Sequence, residues 1–165
     1  MLSGREAVLR LKDGLRFTAT TASGFEVELD SAVDADAPLS APSPMELQLV
    51  ALGGCTAMDV ISILRKMRQD VTSYEVGLAH TRSPEHPRVY TSVQIAHRLR
   101  GSGIGEANVR RAIALTMTRY CPVFAMLYPK VAITERFEIT DEQTGAVVAG
   151  EASAEDAVST ETHSA

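Results

Sequence analysis

The chain has 165 residues, 45% hydrophobic and 22% charged, with a net charge of -5, values that fit one globular domain. The acidic balance excludes the basic face that nucleic-acid binding calls for. The short basic runs Arg65-Lys66-Met67-Arg68 and Arg110-Arg111 fall on predicted helices and read as solvated faces.

Taken in chain order, the first thirty residues read as strands. "REAVLRL" leads into Asp13-Gly14, a hairpin signal, and then "LRFTATTA". Ser23-Gly24 turns the chain into "FEVELD", which alternates Phe25, Val27 and Leu29 against Glu26, Glu28 and Asp30. A three-strand meander follows from this pattern. A small-residue loop over 31–42 ends at Ser43, an N-cap before Pro44, with Glu46 completing a capping box. The helix predicted from there to about Gln69 is apolar almost all round, so burial on most sides is expected. The meander gives that helix little cover, and a partner subunit is one way to supply more. Glu46, Gln48 and Asp59 interrupt the apolar stretch, which reads as too short and too polar to span a bilayer. With no signal-like apolar run in "MLSGREAVLRLKDG", a cytoplasmic, membrane-free protein is expected.

Two alternating segments, "TSYEVGLAHTR" and "RVYTSVQIAHRLRG", predict two further strands joined by "SPEHP". Gly101-Ser102-Gly103-Ile104-Gly105 breaks the chain before a second helix over Glu106–Tyr120. Pro122 opens a short third helix, and "KVAITERFEI" predicts a last strand. From residue 141 the chain is small, acidic and without aromatics. A folded domain over 1–140 and a disordered tail over 141–165 are expected, although "GAVVAG" has some strand character.

The chemistry rests on two cysteines. Cys121, just before Pro122, falls at the N-cap of the short helix, where free N–H groups favour an anion. On spacing alone it is the more acidic thiol. Cys55 follows Gly53-Gly54 inside the long helix, where each glycine costs about 1 kcal/mol against Ala. Those glycines serve either a close approach of another backbone, or a local break that gives Cys55 its own helix start, or tight packing alone. His80, His86, His97 and His163 are not spaced from the cysteines like a zinc site, so no metal is expected. His80 and His97 lie on predicted strands, where a surface position is the default. No flavin or nucleotide motif is present, and the Gly101–Gly105 run lacks the following Lys of a phosphate loop. No cofactor is expected.

"APSPMELQLVALGGCTAMDVISIL" and "RYCPVFAMLYPKVAI" resemble the OsmC/Ohr family, most closely its YhfA-like branch, over about residues 5–140. The resemblance implies an α+β, OsmC-like fold assembled as an intertwined homodimer around the central helix. It further implies a thiol peroxidase that reduces organic hydroperoxides to alcohols. Cys55 would be the peroxidatic thiolate and Cys121 the resolving thiol, reversing the order read from the helix end. An external dithiol, a lipoyl group in Ohr-type enzymes, would reduce the resulting disulfide. Peroxidase members carry Glu directly after the helix-opening Pro. Here Met45 stands there, and Glu46 comes one residue later, where capping duty is the better reading. The family's thiolate-holding Arg in the meander maps to Lys12 or Arg16, and Lys lacks the bidentate fork of Arg. Met45, Leu49, Met58, Phe124 and Met126 are candidates to line an apolar substrate pocket. The rival readings are a non-enzymatic dimer that binds an apolar ligand and a thiol-disulfide regulator of protein partners.

Overall fold

The computed structural model describes residues 6–31 and 38–157. Residues 32–37 of the predicted loop, and 158–165 of the predicted tail with His163, lie outside the described residues. The chain divides into two compact units, residues 1–50 and 51–165.

In the first unit, β1 (Val8–Asp13), β2 (Arg16–Thr20) and β3 (Glu26–Leu29) form an antiparallel meander in that order. Gly14 takes the positive φ that the first hairpin needs, at 50°. Helix α1 (Pro44–Lys66) begins as its sequence signature predicts. The Ser43 hydroxyl oxygen accepts the Glu46 N–H at 3.3 Å, and the Glu46 carboxylate accepts the Ser43 N–H at 2.7 Å and hydroxyl at 2.6 Å.

In the second unit, β4 (Asp70–Arg82), β5 (Tyr90–Ser102), β6 (Ala132–Asp141) and β7 (Val147–Ala152) form one sheet in chain order. Its pairs are antiparallel except β5 and β6, which run parallel. A parallel pair needs a crossover. Here it consists of α2 (Glu106–Leu115), a π-helical turn (Thr116–Tyr120) and α3 (Pro122–Leu127). Val60 and Leu64 of α1, Val109, Ala112 and Ile113 of α2, and Leu99, Phe137 and Ile139 of the sheet make the core.

Four expectations change. First, α1 buries one stripe, Leu52, Gly53, Thr56, Val60 and Leu64, while Val50 and Met58 stand exposed. The i, i+4, i+8, i+12 spacing of that stripe is what one core can cover. Second, α1 runs unbroken for 23 residues and is long and apolar enough, by length and composition, to cross a membrane; Asp59 does not interrupt it. Third, residues 147–157 are ordered: β7 pairs along β6 and a 3-10 turn (Ala154–Ala157) follows. The pairing needs backbone only, Ala152 is buried, and the Arg110 guanidinium donates to the Glu151 carbonyl. Fourth, His97 is fully buried rather than at the surface. It sits on β5, which is flanked by β4 and β6, and its ring is satisfied on both sides. The Tyr74 hydroxyl lies 2.6 Å from Nδ1, and the Glu135 carboxylate 2.5 Å from Nε2.

Candidate functional site

Cys55 and Asp59 leave α1 four residues apart, on one face and one turn from each other. The second thiol comes from the far end of the crossover. Before it, α2 widens into the π turn, which closes with the Cys121 N–H bonded to the Thr116 carbonyl at 3.0 Å. Such widened turns recur at functional sites. Cys121 then takes an extended backbone (φ -76, ψ 104) as the N-cap of α3, with Pro122 at the helix start. Its Sγ accepts the Phe124 N–H at 3.3 Å. This is the cap expected from Cys121-Pro122.

The two sulfurs and the Asp59 carboxylate lie within 4.8 Å of one another. Both cysteines are free, Cys121 buried and Cys55 half-buried. The Thr56 hydroxyl oxygen lies 3.8 Å from the Cys121 Sγ. One Asp59 oxygen, Oδ2, is shielded from solvent and has no hydrogen-bond partner among the described residues.

Burial pushes the Cys55 thiol up to about 11, and the hydrogen bond to Cys121 and the charges of Cys121 and Asp59 push the same way. The Val123 backbone, in the first turn of α3, works against them. At that value only about one Cys55 in ten thousand is ionised at pH 7. Burial also raises the Asp59 carboxyl above its ordinary value.

The glycines before Cys55 do not break the helix. A Cβ on Gly53 would stand 2.5 Å from Leu78 Cδ1, so the close approach is to a β4 side chain rather than to another backbone. A Cβ on Gly54 would meet nothing within 4 Å. Cys55 therefore has no helix start of its own, and the nearest one serving it is that of α3.

The remaining sequence candidates fall as follows. Glu46 caps α1, and the Ser43 hydroxyl hydrogen bond holds its carboxyl below the ordinary value. Lys12 Nζ and Arg16 Nε both pair with Glu28, at 3.2 and 3.3 Å. Met45 and Leu49 are half-buried, whereas Met58 and Met126 are exposed. Phe124 lines a cavity of about 580 Å³ together with Met117, Tyr128, Ile133 and Glu135; neither cysteine lines it. Two features were missed from sequence. Asp59 carries a legible signal, its i+4 spacing from Cys55. The Tyr74–His97–Glu135 chain carries none, since it joins three strands whose pairing only the fold sets.

The family model for OsmC-like proteins matches residues 34–136. The protein YhfA of Escherichia coli strain K12 is 40% identical over 134 residues, spanning 81% of this chain and 97% of that protein. A hypothetical protein from Aquifex aeolicus VF5 has a solved structure that matches with a TM-score of 0.73 at 28% identity, over 86% of this chain and 99% of that one. The organic hydroperoxide resistance protein OhrB of Bacillus subtilis matches at 10% identity with a TM-score of 0.56, over 81% of this chain and 97% of that one, a likeness of fold alone.

Proposed function

The chain belongs to the OsmC-like family, and on that premise we propose that it is a thiol peroxidase that reduces organic hydroperoxides. The observation that carries the proposal is the meeting of two free thiols from distant segments, at most 4.8 Å apart. The Cys55 thiol gives up its proton and the thiolate attacks the distal peroxide oxygen; the O–O bond breaks, the alkoxide leaves and takes up one proton to become the alcohol, matching the proton the thiol released, and Cys55 becomes a sulfenic acid. The Cys121 sulfur then attacks the Cys55 sulfur, expelling water and forming the disulfide. Side-chain rotation must bring the sulfurs to the ~2.05 Å bond length. An external dithiol, of lipoyl type by family resemblance, takes up the oxidation and restores both thiols.

An intertwined homodimer is part of the proposal. Exposed apolar side chains support it: Leu9, Leu11 and Phe25 on the meander, Val50 and Met58 on α1. Assembly also has a chemical purpose. A thiol at about 11 is a poor nucleophile at neutral pH, so a cation must reach Cys55, and Arg16 or Lys12 takes that family role in the dimer by exchanging Glu28 for the thiolate. Glu46 keeps its capping duty. Free paired thiols fit a reducing compartment, and we place the protein in the cytoplasm.

The cavity beside Phe124 favours one other reading, a dimer that binds an apolar ligand without turnover. Cumene hydroperoxide separates the two. The peroxidase loses both thiols without an intermolecular crosslink, and Cys121→Ser accumulates sulfenic acid on Cys55. Thiols left unreacted at millimolar peroxide would overturn the proposal and favour the ligand-binding dimer.

A further inference from the structure

We propose that Cys55, Cys121 and Asp59 form a binding site for one thiophilic divalent cation of the zinc class in the reduced protein. Three donor atoms from two elements converge within 4.8 Å. In a tetrahedral zinc site with bonds of ~2.3 Å to sulfur and ~2.0 Å to oxygen, donors stand ~3.5–3.8 Å apart. The donors here need to close by about 1.3 Å at most to meet that spacing, a side-chain adjustment and not a rearrangement of α1 or α3.

A second observation, independent of the sulfurs, points to a ligand. Asp59 Oδ2 is shielded from solvent, on a residue one turn from Cys55, and accepts no hydrogen bond among the described residues. A carboxylate oxygen in that position is costly unless something positive meets it. A dication seated among two thiolates and this carboxylate would be met by three donors at once. The helix supplies two donors at i and i+4, the spacing by which one helical face presents paired ligands, and the cap of α3 supplies the third. Two thiolates and one carboxylate suit a borderline-soft ion rather than magnesium or calcium. A fourth position remains for water or an added thiol.

The balance is simple: the dication displaces one proton from each thiol, so two thiol protons leave per ion bound. Oxidation of the pair to a disulfide removes both anionic sulfurs, so the site exists only in the reduced state. The inference does not rest on the peroxidase reading, because binding is measured without peroxide.

Cobalt(II) is the probe. Titrated into the reduced, metal-free full-length protein, it should give a thiolate-to-cobalt charge-transfer band and the intense visible bands of a four-coordinate site, saturating at one ion per chain. Zinc(II) should displace it. Asp59→Asn should weaken cobalt binding by more than the ~10–100-fold that loss of an outer-shell partner costs, with an unchanged far-ultraviolet circular dichroism spectrum. Cys55→Ser should lose about half of the charge-transfer intensity, since one thiolate of two remains. The absence of a charge-transfer band in the folded reduced protein would overturn the proposal. So would an Asp59→Asn variant that binds cobalt as tightly as the wild type. Either result would leave peroxide reduction, assayed separately in chelator, untouched.

Discussion

Replacing Asp59 by Asn should make Cys55 more acidic and more reactive, in a direction and by an amount that follow from position. The carboxylate is charged throughout the alkaline range in which the thiol titrates, and its charge raises Cys55. At a separation of at most 4.8 Å and a water-like dielectric constant of ~80, the repulsion is ~0.9 kcal/mol, or ~0.6 pH units, in keeping with its place as the smallest of the causes that raise Cys55. The thiolate fraction at neutral pH therefore rises ~4-fold. Intrinsic nucleophilicity falls as the thiol becomes more acidic, which trims the gain in alkylation rate to ~2-fold. Peptide-resolved alkylation by a neutral haloacetamide, followed across pH in chelator, reads Cys55 apart from Cys121. The comparison is a difference between variant and wild type, so it holds wherever a partner's cation sets the baseline. High salt should shrink it, and Asp59→Leu should keep it, because the cause is charge and not hydrogen bonding. A Cys55 inflection that stays put or moves upward in both variants would refute the electrostatic account of this site.

Four further predictions concern the rest of the fold. His97→Ala removes the Nε2 partner of a Glu135 side chain in a site where both side chains have 0% exposure, and should cost ~1–3 kcal/mol in urea unfolding; a loss below ~0.5 kcal/mol would refute a structural role for the contact. Gly54→Ala should stabilise the protein by about 1 kcal/mol through helix propensity, because a Cβ there meets nothing within 4 Å. Gly53→Ala should instead lower the melting temperature, since its Cβ would stand 2.5 Å from Leu78 Cδ1; equal effects from the two substitutions would refute the contact. Asp141 is held down to about 2, chiefly by the Gly103 N–H and then by Thr144. Its contribution to stability is therefore present above the unfolded value of ~3.9 and is lost as pH falls toward about 2. The gap in melting temperature between wild type and Asp141→Ala should close over that window, and a gap unchanged at pH 2 would contradict the assignment.

What the sequence disclosed is local, and the reason is physical. The Ser43–Glu46 box, the turn at Asp13-Gly14 and the N-cap at Cys121-Pro122 are each decided by three or four neighbouring residues, so their geometry follows from their order. Strand β7 was hidden for the opposite reason. Its residues are small and acidic, and what orders them is the open edge of β6 rather than anything they carry. The Tyr74–His97–Glu135 chain depends on the antiparallel register of β4 on β5 and the parallel register of β6 on β5, with Tyr74 near Leu99 and Glu135 near Ile95 across the ladders. No spacing in the sequence encodes two registers at once.

The thiol site lies between these extremes. Each cysteine announced itself, Cys121 by its proline and Cys55 by its glycines, and the sign at the helix end, which favours an anion at Cys121, runs opposite to the roles in the proposed chemistry. Local reasoning sees the helix end beside Cys121 and sees no cause beside Cys55. In the fold, the first turn of α3 reaches both sulfurs, with the Phe124 N–H on Cys121 and the Val123 backbone on Cys55. The same first turn thus sets two thiols from segments far apart along the chain. Asp59 shows the converse. Read along the sequence it is a charge that interrupts an apolar helix; read around the helix it is the residue one turn from Cys55, with a carboxylate oxygen within 4.8 Å of both sulfurs. A charged residue that leaves an apolar helix intact is better treated as belonging to whatever its i-4 neighbour does, and here that neighbour is the thiol on which the proposed reaction turns.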